Sequence, residues 1–171
     1  MLEFKTGHIN DAALITDIGA RSFIESHGKS ASETDIRNYV QSKFNIPQLE
    51  SELADNNSIF QIAYYNQQPA AYSKITLNCP NPNIAEQKVC KMDRLYVLEE
   101  YFDKKIGQVL FDLNVEIAKQ HQQKGIWLYV WTGNPRALRF YEKQGFKIVG
   151  ETYFKISDTH SNPNYWMYLE F

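Results

Sequence analysis

The sequence predicts an α/β protein of the α+β type, in which a mixed sheet of about six or seven strands is flanked by helices. Its 171 residues suit a single domain, spanning 1–171, with a substantial core. Hydrophobic residues make up 43% of the chain and aromatic residues 14%, which is a globular composition. The predicted order of elements, β-α-α-α-β-β-β-α-β-α-β-β, places antiparallel strands first and helical crossovers in the second half.

The first half of the chain is predicted to form one strand, three helices and two further strands. Asn10 and Asp11 are placed to cap the first helix, which runs through about Ser26. Ser32 is placed to cap the second helix, with Asp35 in the capping-box position. The strands are expected at 2–6, 59–65 and 70–77, and the third helix at 48–55, directly after Pro47.

The second half is predicted to alternate strands and helices. Residues 106–121 keep apolar side chains at helical spacing. Asn134 stands where a helix N-cap is expected, Pro135 at the first helical position and Gly145 at a left-handed exit. The strands are expected at 89–97, 125–131, 146–156 and 165–171, and the helices at 106–121 and 135–144.

The loop at 98–105 leads from a predicted strand into the N-terminus of a predicted helix. Unpaired backbone N–H groups at such a terminus, together with the helix dipole, attract an anion such as a pyrophosphate. Lys104 and Lys105 add positive charge there, and Gly107 lets the backbone approach a ligand closely. The β-α-β crossover that follows places a ligand crevice at the strand ends.

The composition argues against several classes of protein. No apolar run approaches the ~20 residues that a membrane span needs, and the first residues lack a signal-peptide pattern. Cys79 and Cys90 do not form a disulfide framework, so we expect a reducing, cytoplasmic setting. We expect no nucleic-acid partner, since there is no overall basic excess and no nucleic-acid motif. The four His and two Cys lack metal-ligand spacing, so we expect no catalytic metal.

Charge is distributed unevenly along the chain. Residues 1–60 contain five Lys or Arg against nine Asp or Glu, whereas residues 101–150 contain eight against four. A basic second half suits a phosphate-bearing ligand, and an acidic first half suits a cationic one. Ordinary scatter of solvated surface charge is the alternative interpretation.

Two stretches resemble the GNAT N-acetyltransferase superfamily. Residues 94–111, RLYVLEEYFDKKIGQVLF, resemble the strand, loop and helix with which the family binds acetyl-CoA. Residues 127–151 contain Asn134, Ala137, Phe140, Tyr141 and the Gly-Phe step at 145–146, and resemble its second cofactor motif. The match covers about residues 89–150 well and implies the three-layer fold of the family. The branch that it resembles most is that of the small bacterial polyamine (spermidine/spermine) acetyltransferases.

The resemblance implies roles for individual residues. Tyr141 would be the general acid that reprotonates the coenzyme A thiolate, and Asn134 would hydrogen-bond the pantetheine arm. The backbone of Leu95, Tyr96 and Val97 would pair with pantetheine like an extra strand. The pyrophosphate would lie on the loop residues Phe102, Asp103, Lys104, Lys105, Ile106, Gly107 and Gln108.

This loop departs from the family pattern, Q/R-x-x-G-x-G/A. Phe102 stands at the Gln or Arg position and Lys105 at the first Gly, so that only the last glycine, Gly107, is kept. The loop contributes mainly backbone N–H groups, so it can still bind phosphates. The Lys105 side chain would either meet the phosphates as a point charge or crowd the site.

The sequence does not identify the general base. Asp93, on the strand entering the site, is the candidate because the base of the family is often acidic and lies nearby. The alternative is a surface or salt-bridged carboxylate, with Arg94 as a candidate partner. Glu25 and His27 would either line the acceptor side or lie exposed in a loop. Three tyrosines would either face the cleft or pack in the core: Tyr64, Tyr72 and Tyr153.

The leading interpretation is an acetyl-CoA-dependent N-acetyltransferase that acts on the primary amine of a small molecule, a polyamine among the candidates. An amino acid, an antibiotic and a protein N-terminus are the alternative acceptors. A coenzyme A-binding module without turnover is an alternative of another class. The apolar C-terminal strand, NYWMYLEF, is expected either to support a homodimer or to be buried in the core.

Overall fold

A computed structural model describes all residues, 1–171. The helices are α1 (Ala12–His27), α2 (Glu33–Lys43), α3 (Ile46–Leu53), α4 (Ile106–Gln120) and α5 (Pro135–Lys143). The strands are β1 (Leu2–Thr6), β2 (Ser58–Tyr65), β3 (Gln68–Thr76), β4 (Cys90–Val97), β5 (Gly125–Trp131), β6 (Lys147–Lys155) and β7 (Ser161–Glu170). Short 3-10 helices cover Ile9–Asp11 and Glu99–Lys104.

All seven strands form one mixed sheet in the order β1-β2-β3-β4-β5-β7-β6. The only parallel pair is β4 with β5, and the other neighbours are antiparallel. This arrangement confirms the predicted mixed sheet, with antiparallel strands first and a helical crossover between β4 and β5. No helix is long and apolar enough to cross a membrane.

The parallel strands β4 and β5 pair over only two residues and then separate. Cys90 lies opposite Ile126 and Lys91 opposite Trp127, and no further residues of the two strands are paired. Beyond this point β4 stays with β3 and β5 stays with β7. The sheet is therefore open between the C-terminal halves of β4 and β5.

Helices cover both faces of the sheet. On one face α1 and α3 pack on β2 and β3 through a core that includes Ile15, Leu49, Phe60 and Tyr72. On the other face α4 and α5 contribute two core clusters, which contact strands β2 to β5 and β7. The opening in the sheet thus connects two helical layers.

Several predicted boundaries and caps were wrong. Neither Asn10 nor Asp11 caps α1 through its side chain, because the Asp11 carboxylate instead accepts from Lys5 Nζ at 2.7 Å and from the backbone N–H of His8. The third helix begins at Ile46, before Pro47, because Asn45 caps it by accepting from Gln48 N at 3.0 Å.

The C-terminal strand is longer and more central than predicted. It begins at Ser161, and Pro163 lies within it, opposite Tyr153 of β6. Since β7 is hydrogen-bonded to β5 on one side and β6 on the other, neither of its edges is free to pair with a second copy. Of its residues only Asn162, Asn164 and Met167 are buried, so β7 is an inner strand of the sheet that contributes to the core only in part, and the homodimer stays a prediction.

Candidate active site

A cavity of about 790 Å³ occupies the opening between β4 and β5. Its walls come from the C-terminal end of α1, from α2 and α3, and from β4, β5, α4 and α5. The cavity therefore runs from one helical layer to the other, and its two ends differ in chemistry. After the roles that the resemblance implies, we call the end beside α4 and α5 the cofactor end and the end beside α1, α2 and α3 the acceptor end.

Strand β4 presents a free backbone edge to the cofactor end. Leu98 N donates to Ala70 O, so these two residues form a hydrogen-bonded pair between β4 and β3. From that pair back along β4, hydrogen-bonded and non-hydrogen-bonded pairs alternate, as in any antiparallel ladder. By this alternation Leu95 and Val97 point their N–H and C=O groups into the opening, whereas Tyr96 bonds β3. Only Ser22 Oγ reaches the Val97 carbonyl, at 3.4 Å. Two of the three predicted residues thus offer backbone groups to an extended ligand.

The N-terminus of α4 lies at the same end of the cavity. Lys105, just before α4, has a φ of 59°, the left-handed region in which a glycine costs nothing. This explains the glycine that the resemblance leads one to expect there. Of the predicted loop residues, four line the cavity: Phe102, Lys105, Gly107 and Gln108. Asp103 and Lys104 point elsewhere, and the Ile106 side chain is fully buried in the core.

Arg136 of α5 covers the loop position that departs from the family pattern. Its guanidinium carbon lies 3.3 Å from the centroid of the Phe102 ring, and Nη2 donates to the Phe102 carbonyl at 3.3 Å. A planar guanidinium stacks well on an aromatic ring and stays charged. Arg136 therefore brings positive charge to the place where the loop lacks a polar side chain. The sequence contained Arg136 inside the second motif, but nothing in the spacing linked it to Phe102.

Asn134 is the predicted cap of α5 and is confirmed in that role. Its Oδ1 accepts from Ala137 N at 3.1 Å, and Gly145 leaves the helix with a φ of 94°. The amide Nδ2 has no partner in the protein and lies at the cavity. Asn134 can therefore cap its helix and donate a hydrogen bond to a ligand at once.

Tyr141 projects from α5 into the wall of the cavity. It is 9% exposed, and its ring packs edge-on against Phe140 and Phe146. Its hydroxyl has no hydrogen-bond partner in the protein, and the hydroxyl oxygen itself remains accessible where the residue lines the cavity. Burial raises the pKa of Tyr141, so the phenol stays protonated through the neutral range. The site therefore holds a protonated donor with nothing from the protein to donate to.

Asp93 lines the cavity at a bulge in β4, where the register with β3 shifts. One carboxylate oxygen accepts from Thr76 Oγ1 at 2.6 Å, and the other is 2.9 Å from Lys91 Nζ. The salt bridge that was the alternative for this residue is formed, with Lys91 rather than with Arg94.

Arg94 belongs to a separate cluster at the acceptor end. Glu52 of α3 accepts from Arg94 through both oxygens, at 2.7 and 3.0 Å, and from Lys74 at 2.9 Å. Burial would raise the pKa of Glu52, but the Arg94 and Lys74 charges and the hydrogen bonds lower it to about 2. Glu52 is therefore a fully engaged anion. It was missed from the sequence, where it is one of two Glu on a short helix.

Aromatic rings make up much of the remaining acceptor wall. Glu25 is at this end and accepts from Glu99 N at 2.9 Å. The predicted Tyr64, Tyr72 and Tyr153 do not line the cavity: Tyr72 is fully buried in the core and Tyr153 is 77% exposed. No three His, Cys, Asp or Glu are grouped so that they could hold a metal ion. The rings that line the acceptor end are Phe23, His27, Tyr39, Tyr96, Tyr129, Trp131 and Phe154.

Comparison with known proteins gives a consistent result. Residues 20–146 match the acetyltransferase (GNAT) family. The chain is 27% identical over 154 residues to a spermidine N(1)-acetyltransferase of Thermoplasma acidophilum, covering 86% of this chain and 89% of the relative. It is 23% identical over 141 residues to an uncharacterized N-acetyltransferase of Lactobacillus delbrueckii subsp. lactis, covering 82% of each.

Among solved structures, a similar fold is that of the PaiA N-acetyltransferase from Thermoplasma acidophilum in complex with coenzyme A. The TM-score is 0.80 at 21% identity, and the match covers 100% of this chain and 99% of the other. At that identity the likeness concerns the fold alone.

Proposed function

The chain belongs to the acetyltransferase (GNAT) family, and from this we propose that it transfers the acetyl group of acetyl-CoA to a primary amine of a small molecule. One observation supports the proposal above the others: the unpartnered Tyr141 hydroxyl lies in the cavity that exposes the free edge of β4. Acetyl-CoA supplies a thioester whose carbonyl carbon an amine can attack.

The residues of the cofactor end fit acetyl-CoA in their donors and acceptors. The N–H and C=O groups that Leu95 and Val97 point into the opening suit the amides of pantetheine, and Asn134 Nδ2 adds one donor. The N-terminus of α4 and the side chains of Lys105 and Arg136 suit the phosphates. The backbone of β4 would also bind the thioester oxygen as negative charge develops on it.

Tyr141 would protonate the leaving group, the coenzyme A thiolate. When the C–S bond breaks, the phenol would donate its proton to the departing thiolate. The acceptor must itself lose a proton, because a free alkylamine with a pKa of about 10.4 is neutral in only about one molecule in 2,500 at pH 7. Asp93 is the base that the sequence predicts, and it lines the cavity with one carboxylate oxygen bonded to Thr76 and the other paired with Lys91.

We further propose that the acceptor amine is a polyamine. The similarity to a spermidine N(1)-acetyltransferase supports it, as does the acidic excess in residues 1–60. A second candidate, an aromatic or apolar monoamine, is favoured by the aromatic acceptor wall. There the carboxylates of Glu52 and Asp93 are already paired with cations, and Glu25 accepts a backbone N–H.

Calorimetry with acetyl-CoA, followed by an amine panel read by thiol release, tests these proposals. Micromolar binding with thiol release would support the transferase, and the panel would contain spermidine, spermine, phenethylamine, tyramine, an amino acid and a peptide N-terminus. Preference for the polyamines over phenethylamine would support the first acceptor, and the reverse preference the second. Binding without release to any amine would favour a non-catalytic coenzyme A-binding module.

We expect Arg136→Gln to weaken acetyl-CoA binding about fivefold, because a charged group near a phosphate typically contributes about 1 kcal/mol at an exposed site. The dependence of the dissociation constant on salt should also become shallower. Calorimetry at two NaCl concentrations measures both effects. Arg139→Gln is the matched control, since Arg139 is exposed on the same helix but does not line the cavity. Equal losses in both variants would show that only general charge matters.

Three statements about the whole protein stay predictions. They are that residues 1–171 form one N-acetyltransferase domain, that the protein works in the cytoplasm and that it forms a homodimer. The free thiols of Cys79 and Cys90 support the second. A homodimer would have to use surfaces other than the paired edges of β7.

A further inference from the structure

His27, the last residue of α1, lies in the acceptor wall and is held there by aromatic rings. Its imidazole stacks on Phe23 with a centroid distance of 4.6 Å and an interplanar angle of 7°. The ring of Trp131, on β5, has its centroid 5.6 Å from that of the imidazole. The imidazole is thus a fixed part of the cavity rather than an exposed loop side chain, which was the alternative for it.

The hydrogen bonds of Ser26 select one tautomer of this imidazole. Ser26 Oγ lies 2.8 Å from the carbonyl oxygen of Ser22 and 2.7 Å from His27 Nδ1. The hydroxyl has one proton, and the carbonyl can only accept it, so the Ser26 oxygen accepts from Nδ1–H. The lone pair of the neutral ring is then on Nε2, which has no partner in the protein. A free acceptor nitrogen is left at the acceptor end of the cavity.

The surroundings of His27 keep it uncharged. Burial lowers its pKa to about 4, so the imidazole is neutral at pH 7 and does not repel an ammonium group. The imidazole contacts side chains of α1 and β5, and Tyr39 of α2 stacks on the Phe23 ring beside it. The titratable groups of these three elements in the cavity wall are Glu25, Tyr39, Lys43 and Tyr129.

We propose that His27 Nε2 accepts the proton that the acceptor amine loses during acetyl transfer. The inference rests on the proposed transferase function. The small neutral fraction of the amine reacts: its nitrogen bonds the carbonyl carbon, and the C–S bond breaks. The nitrogen proton passes to His27 Nε2, and the Tyr141 proton passes to the sulfur. As the products leave, His27 releases its extra proton to solvent and Tyr141 takes up a proton from solvent.

Asp93 is less well prepared for this role. One of its carboxylate oxygens already accepts from Thr76 and the other is ion-paired with Lys91, whereas His27 Nε2 accepts from nothing.

Chemical rescue tests the proposal, with the amine that the wild-type panel identifies. We expect His27→Ala to lower kcat about tenfold. This is less than the loss expected for a base whose pKa matches the working pH, because a base with a lower pKa accepts a proton less readily. Acetyl-CoA affinity by calorimetry should not change. Added imidazole should restore activity in this variant, and the restored fraction of the wild-type rate should decline below about pH 6.5, where imidazole protonates.

His121→Ala is the matched control, since His121 is exposed at the end of α4 and lies outside the cavity; imidazole should leave it and the wild type unaffected. If His27→Ala does not fold, His27→Gln tests the proposal in its place, because glutamine keeps a hydrogen-bonding side chain but cannot take up a proton. Full activity in His27→Gln, or loss in His27→Ala that imidazole does not restore, would overturn the proposal. A wild type that acetylates no amine would instead overturn the proposed function.

Discussion

Replacing Tyr141 by phenylalanine is expected to lower kcat about a thousandfold while leaving acetyl-CoA binding nearly unchanged. The phenylalanine keeps the edge-on ring contacts with Phe140 and Phe146, so the packing of α5 persists. Only the hydroxyl is lost, and it makes no hydrogen bond within the protein. A general acid contributes about 10²- to 10⁴-fold to rate, so the loss should appear in kcat rather than in KM.

The measurement is thiol release at saturating acetyl-CoA, with calorimetry and thermal unfolding on the same preparations. Tyr153→Phe is the matched control, because Tyr153 is 77% exposed and lies outside the cavity. Equal rates for Tyr141→Phe and wild type would remove Tyr141 as the acid.

The pH profile carries a second signature of the same residue. An acid must be protonated to act, so activity that depends on Tyr141 is lost only as pH rises through its pKa. Burial raises that pKa above the usual value of about 10. Between pH 7 and 9.5 Tyr141 should therefore cause no decline, and a falling limb in that interval would belong to another group.

The element order and the sheet could be predicted because each depended on local patterns. The apolar spacing in 106–121, the Asn-Pro step before α5 and the glycine after it each correspond to a feature of the structure. The misplaced start of β7 has a physical reason. Its first residues, SNPN, lack the β-branched or aromatic side chains that indicate a strand, and only their pairing with β6 defines them.

The site was predictable where it lies within one motif and not where it joins distant segments. Asn134 and Tyr141 share a helix and a motif, and both line the cavity. The contact of Arg136 with Phe102 and the pairing of Glu52 with Arg94 join residues that are 34 and 42 positions apart. No periodicity in a single sequence relates such residues, because their proximity depends on how the sheet opens.

Glu52→Gln is expected to destabilise the fold by about 3–5 kcal/mol, the usual result of removing one partner from a buried ion pair. Lys74 of β3 lies directly opposite Arg94 of β4, so these two like charges face each other on neighbouring strands. Glu52 lies between them, and the side chains of all three are at most 13% exposed. Without the carboxylate the two cations would remain together and largely unsolvated. The melting temperature should fall by about 10 °C for a chain of this size.

Thermal and urea unfolding followed by circular dichroism measure this loss. Glu50→Gln is the matched control: Glu50 is exposed on the same helix, and its substitution should change stability by less than about 0.5 kcal/mol. Equal stability of Glu52→Gln and wild type would show that the cluster contributes no net stability.

The destabilisation caused by Glu52→Gln should also decrease as the pH is lowered. Glu52 has a pKa of about 2 in the folded protein and 4.5 as an unperturbed side chain. A lowered folded-state pKa gives stability that is fully present above pH 4.5 and is lost as the pH falls toward 2. The difference in stability between wild type and Glu52→Gln should therefore be largest near neutral pH and shrink on acidification. A difference that stayed constant from pH 7 to pH 3 would mean that the loss comes from packing of the side chain and not from its charge.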